Sequence, residues 1–167
     1  MKNLMLVSML MISGLTASAQ KSDVVDVAIS SKDHTTLVAA VKAADLVGTL
    51  KGAGPFTVFA PTNAAFDKLP KGTVDGLLKP ESKKALSGIL TYHVVAGNLD
   101  AAAVVAAIKK GNGKAEVTTV NGAKLTASLK GDKVILTDAK GGISTVTATD
   151  LKGSNGVIHV IDTVLMP

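Results

Sequence analysis

The stretch Thr57-Val58-Phe59-Ala60-Pro61-Thr62-Asn63-Ala64-Ala65-Phe66 decides how this chain folds. Phe56 to Ala60 is a short apolar run bounded upstream by Gly52 and Gly54-Pro55, and it predicts a buried strand. Pro61 has no N–H for a sheet ladder and pushes Ala60 into an extended conformation. Thr62 is placed to cap a helix. Phe66 and Leu69 lie three apart and share one face of that helix, which Pro70 and Gly72 end. Strand, corner and short helix together form a packing device that explains itself without a ligand.

Upstream, Val24, Val25, Ala28 and Ile29 recur at helical spacing behind a cap at Ser22 or Asp23. Leu37, Val38, Val41, Leu46 and Val47 continue that pattern after Thr35-Thr36. Downstream, Leu77, Leu78, Leu86, Ile89 and Leu90 predict two short helices divided by Pro80. Tyr92 to Val95 is expected as a strand ended by Gly97. Asp100 is expected to cap a helix from Ala101 to Lys109, with Lys109 and Lys110 at its negative end and Gly111 as its stop. From Lys114 onward the period becomes two, and strands are expected over 115–120, 123–129, 133–138, 143–149 and 157–165. Turns fall at Asn121-Gly122, Lys130-Gly131-Asp132 and Gly141-Gly142. Helices first and strands mostly last argue for a single α+β domain.

The chain closes on Ser154-Asn155-Gly156-Val157-Ile158-His159-Val160-Ile161-Asp162-Thr163-Val164-Leu165-Met166-Pro167. This segment and residues 57–66, with the Tyr92-His93 pair between them, resemble the signature segments of the fasciclin (FAS1) domain family. The resemblance covers the chain after residue 20 and is to a bacterial secreted, single-domain member. It implies a β-wedge or sandwich with several short helices packed against it. It also implies cell adhesion or cell-surface interaction by non-covalent contact, with no cofactor.

Residues 1–19 have the form of a signal peptide, and residues 20–167 are then the domain. Lys2 is a short positive region, Leu4 to Leu15 an apolar stretch, and Ala17-Ser18-Ala19 a cleavage site. No second long apolar run follows, so no transmembrane segment is expected and the product is secreted, to periplasm or medium. The chain has no cysteine. That excludes disulfides, cysteine-based metal sites and a cysteine-anchored lipoprotein, so an exported domain must rely on its core. Beyond residue 19 there are 17 lysines, no arginine and 13 carboxylates, a net charge of +4. Phe56, Phe59, Phe66 and Tyr92 are the only aromatics. Without arginine forks or a stacking platform, no nucleic-acid partner is expected. The lysines read first as a solvated surface, and second as a weak attraction to acidic glycans or anionic cell surfaces.

No metalloprotease, nucleophile-elbow, phosphate-loop or dinucleotide motif occurs, and no Asn-x-Ser/Thr sequon. His34, His93 and His159 are spread along the chain, and His93 and His159 lie in apolar runs that suit hydrogen-bonded core histidines. Neither a metal site nor a catalytic residue is assigned. In animal fasciclin domains a Tyr-His motif flanked by branched aliphatics is associated with integrin-dependent adhesion, and Leu90, Val94 and Val95 flank the pair here. Asp150-Leu151 resembles an Asp-Ile pair of some adhesive members. Tyr92, His93, Asp150 and Leu151 are therefore the candidate partner-binding residues. On a strand Tyr92 and His93 would face opposite ways, which favours a mainly structural role for them. Lys130-Gly131-Asp132 looks like an integrin-recognition tripeptide, but a β-turn needs the same residues. The expected partner is a cell-surface or matrix protein or an acidic polysaccharide, with self-association open. An extracytoplasmic carrier of a small apolar ligand is the alternative, and a cell-wall or matrix hydrolase ranks last.

Overall fold

Asp23 starts the helical layer with a capping box: its carboxylate accepts from the N–H groups of Val25 and Asp26, and Asp26 reaches back to the N–H of Asp23. In the computed structural model, which describes residues 21–167, this opens α1 (Val24–Ser30). A 3₁₀ turn (Lys32–His34), α2 (Thr35–Ala43) and α3 (Val47–Leu50) follow. The expected continuous pattern through Leu46 and Val47 breaks at Asp45, whose positive φ of 59° ends α2. Then come β1 (Phe56–Pro61), α4 (Asn63–Asp67), α5 (Thr73–Leu77), α6 (Lys83–Tyr92), β2 (Val94–Ala96) and α7 (Ala101–Lys110). Five strands close the order: β3 (Lys114–Thr118), β4 (Lys124–Lys130), β5 (Lys133–Thr137), β6 (Ile143–Gly153) and β7 (Gly156–Ile161). The caps at Thr62 and Asp100 form as expected, accepting from Ala65 N–H and Ala103 N–H.

The strands form one seven-stranded sheet in the order β2-β1-β7-β6-β5-β4-β3. Only β1 and β7 run parallel, paired from Phe56–Gly156 to Pro61–Ile161. The two signature segments thus lie side by side as interior strands of the sheet, second and third in its order. That explains why both strands are mostly apolar: every residue from Thr57 to Pro61 and from Val157 to Ile161 is buried, with Thr57 and His159 the polar exceptions. The long β6 carries two register shifts, pairing with β5 through Ile143–Thr145 and with β7 through the rest. Such bulges bend a sheet. A bridge between Val95 and Thr119, with Val120 N–H donating to Val94 O at 2.7 Å, brings the two edges together, so the sheet nearly closes.

Two cores result. Val58, Ala60 and Ile158 face the helices, packing with Val24, Leu37, Val41, Phe66, Leu86 and Leu90. Phe59 and Ile161 face the inside of the folded sheet, with Tyr92, Leu125, Leu136 and Ile108 of the covering α7. Phe59 and Phe66 are both buried, as ring anchors of separate cores.

Further expected elements differ: β6 runs on to Gly153 rather than ending at 149, past its two register shifts. Tyr92 ends α6 and His93 is its C-cap, so the strand begins only at Val94. The helical spacing of Leu86 and Leu90 prevails over the β preference of the following run. The opposite-face relation expected for Tyr92 and His93 on a strand therefore does not apply. The last strand ends at Ile161 rather than 165, because side chains take over from the ladder. Asp162 Oδ1 accepts from Thr145 N–H at 2.9 Å, and Ser144 Oγ accepts from Thr163 N–H at 3.2 Å.

Candidate functional site

Tyr92 and His93 are 0% and 2% exposed, and every polar atom of the pair is occupied by backbone. The Tyr92 hydroxyl donates to Lys124 O at 3.1 Å and accepts from Ala139 N–H at 3.0 Å. His93 Nδ1–H donates to Ile89 O at 2.8 Å, and Nε2 accepts from Leu165 N–H at 3.0 Å. The rings meet edge to face at 6.5 Å. Nearby, Asp138 accepts from Lys140, Gly142 and Met166 N–H groups. Together these groups tie α6, the start of β4, the 138–142 loop and the 165–166 segment. Burial pushes His93 down to about 4, against the Ile89 carbonyl and Asp138, so it is neutral at physiological pH. Burial also raises Tyr92.

Asp150 and Leu151 are exposed, at the second register shift of β6. Asp150 has a φ of 60°, a left-handed conformation that Asp tolerates better than most residues. Its Oδ1 accepts from Ala101 N–H at 2.9 Å, so it joins Asp100 in capping α7. Its N–H points at His159 Nδ1 at 3.5 Å, and His159 Nε2–H donates to Leu99 O at 2.6 Å. His159 is buried and stacks on Phe59 at 5.7 Å. It is therefore a core histidine that fixes the bulge to the start of α7. Leu151, 40% exposed, stands beside this braced turn. The structure brings Asp150 and Leu151 together and keeps Tyr92 and His93 in the frame beneath the surface. Lys130-Gly131-Asp132 is the tight β4–β5 turn, with Gly131 at φ 64°.

Two residues that sequence reasoning passed over do much of the joining. Asn63 accepts from Thr36 N–H and Thr35 Oγ1 and donates to Lys32 O. Asn155 accepts from Val24 N–H at 3.0 Å and donates to Leu50 O and Gly52 O. An amide carries both donor and acceptor, so it can clamp a passing backbone from both sides. The signal was present: each asparagine sits inside a signature segment, beside a hydroxyl residue. Gly156 follows because a Cβ there would overlap the Phe56 carbonyl.

His34 is also buried; Nδ1 meets Ser31 Oγ at 2.8 Å, Nε2 has no partner among the described residues, and burial lowers its pKa. Among the described residues no group of three or more His, Asp or Glu side chains could hold a metal ion, and no helix is long and apolar enough to cross a membrane. The segment expected as signal peptide, 1–19, lies outside the described residues. An almost wholly apolar cleft opens between α1–α3 and the β1–β2 side of the sheet, lined by Val25, Leu37, Val41, Leu46, Phe56 and Val94, with Lys42 also in its lining.

The family model described as Fasciclin domain matches residues 32–167. Protein sll1483 of Synechocystis sp. is 51% identical over 144 residues, covering 86% of this chain and 73% of its own. The cell surface glycolipoprotein MPB83 of Mycobacterium bovis is 43% identical over 126 residues, 74% of this chain and 48% of its own. The FAS1 domain pair from the insect cell adhesion molecule fasciclin I aligns with a TM-score of 0.55, over 76% of this chain and 40% of that one. At 23% identity that likeness shows the fold alone. With a match over its signature segments and its whole sheet, this chain belongs to the fasciclin domain family.

Proposed function

We propose that the protein is an exported, non-enzymatic module that adheres to a cell-surface or matrix partner by non-covalent contact. The observation that carries this is the β6 bulge. There Leu151 is an exposed large apolar side chain on backbone braced by Asp150, His159 and the start of α7. An apolar anchor on a rigid support is what a binding surface uses at its centre. Tyr92 and His93 contribute by holding the frame, with no polar atom left to offer a partner. The cell-surface naming of MPB83 supports the setting. Binding of the purified protein to sibling cells and their extracted matrix tests the proposal. Leu151→Ser should weaken that binding while the variant stays folded; absence of binding by the parent protein would sink the proposal.

The apolar cleft between α1–α3 and the sheet favours a second reading, a carrier of a small apolar ligand. Native mass spectrometry of freshly purified protein checks it: added mass supports it, and a clean apo mass counts against it.

A further inference from the structure

Residues 21–167 carry seventeen lysines against thirteen carboxylates. Six of those lysines and two of those carboxylates, Glu116 and Asp132, fall within residues 109–133. The other eleven lysines and eleven carboxylates cancel, so the whole net charge of +4 belongs to this one segment. The fold then gathers it further. Lys109 and Lys110 end α7, and Lys114 opens β3 directly after the turn. Lys114 pairs with Ser128 on β4, and two residues on, Lys130 faces Lys133 across the β4–β5 turn. All five side chains are exposed, and none forms an ion pair with a described residue. Glu116 is engaged by Lys124 at 2.8 Å, which leaves Asp132 as the one unpaired carboxylate of the segment.

We propose that this end of the domain, formed by the α7 terminus, the start of β3 and the β4–β5 turn, binds an acidic polysaccharide. The proposal names a partner class for the adhesive function proposed above and rests on it, but it uses a different face. The charges are all lysine, point charges that attract any polyanion. Two further features select a polysaccharide. No aromatic ring lies in residues 109–133, so bases have nothing to stack on. Along β4 the outward positions Lys124, Thr126, Ser128 and Lys130 alternate with the buried Leu125 and Ala127, so hydroxyls stand between the ammonium groups. Charge with interspersed hydroxyls suits a chain of sugars carrying carboxylate or sulfate. Of the exposed large apolar side chains, Ile29 and Leu151 lie on other segments, Val120 at the far end of β3, and Ile143 alone on the neighbouring strand row, so no cluster is present here to enter a bilayer.

Retention on immobilised heparin and on polygalacturonate tests this. Lys109, Lys110, Lys114, Lys130 and Lys133 would be changed together to Gln. A control would change five lysines elsewhere, Lys32, Lys42, Lys71, Lys79 and Lys84, and so lose the same net charge. The parent and the control should be retained at low salt and released by added salt, and the first variant should bind at least about tenfold more weakly. Equal losses in both variants would reduce the effect to net charge and overturn the proposal. So would no retention of the parent, or tighter binding to duplex DNA or to phosphatidylglycerol vesicles than to either polysaccharide. Thermal unfolding confirms that both variants fold. Cell binding lost by Leu151→Ser but kept by the lysine variant would leave the adhesive function standing while this site fails.

Discussion

Leu165 N–H donates to His93 Nε2 at 3.0 Å, linking two residues 72 positions apart inside the core. The bond requires a neutral imidazole, because a protonated Nε2 has no lone pair to accept with. Burial holds His93 at about 4, below the ~6.5 of an unfolded histidine. Above pH 6.5 both states are neutral and the native bond is intact. As the pH falls from about 6.5 towards 4, the unfolded state takes up a proton that the native state refuses, and stability is lost. The loss approaches on the order of 3 kcal/mol at pH 4. Urea unfolding at pH 7.0 and 4.5 should show a falling midpoint, and the His93→Gln variant should show a smaller fall, with the buried His34 acting in the same direction. A parent midpoint flat across this range would show that His93 is not held neutral.

Tyr92→Phe removes one hydroxyl and leaves Lys124 O and Ala139 N–H without their partner. The expected cost is about 1–3 kcal/mol, read as a lower urea midpoint. Cell binding at a temperature where the variant is fully folded should equal that of the parent. A binding defect in the folded variant would mean that Tyr92 contacts the partner after all.

Asn155→Ala should cost more than a surface substitution in a turn. It strips the partner from Val24 N–H, Leu50 O and Gly52 O at once. A loss of about 2–4 kcal/mol is expected, with hydrogen exchange accelerated first at Val24. Asn155→Asp keeps the acceptor for Val24 but turns a carboxylate oxygen towards Leu50 O and Gly52 O, so it should be at least as costly at neutral pH. Exchange at Val24 unchanged in the alanine variant would show that α1 is anchored some other way.

What was legible in the sequence was local. Pro61, Thr62 and Phe66 act on their immediate neighbours, so strand, corner and capped helix could be read directly. The alternation of Leu125, Ala127, Val134 and Leu136 likewise announced β4 and β5. Tyr92 was misplaced because Ile89, Leu90, Val94 and Val95 form an apolar run that fits helix and strand equally, and only the packing of Leu86 and Leu90 decides. The parallel pairing of β1 with β7 joins residues about a hundred positions apart, and no local pattern encodes it. Nor does one encode the bulge at Asp150, since Thr145, Thr147 and Thr149 read as an uninterrupted alternation. Asp150 and Leu151 could be singled out by resemblance, but the reason one of them turns the chain lies in His159 and Ala101.

That bulge separates support from contact. Asp150→Val places a β-branched residue at a φ of 60° and removes the carboxylate from Ala101 N–H. Strain and the lost cap together should cost about 2 kcal/mol or more, and the displaced turn should also weaken binding to cells. Asp150→Asn tolerates the same φ and keeps an oxygen for Ala101, so stability should change by only a few tenths of a kcal/mol. Leu151→Ser should do the reverse of Asp150→Val: a stability loss of about 1 kcal/mol or less with weaker binding, because Leu151 is already 40% exposed. Unfolding midpoints and cell-binding isotherms measured on the three variants together give the test. If Asp150→Val loses stability but binds as the parent does, the bulge is a fold device only and the contact surface lies elsewhere on the domain.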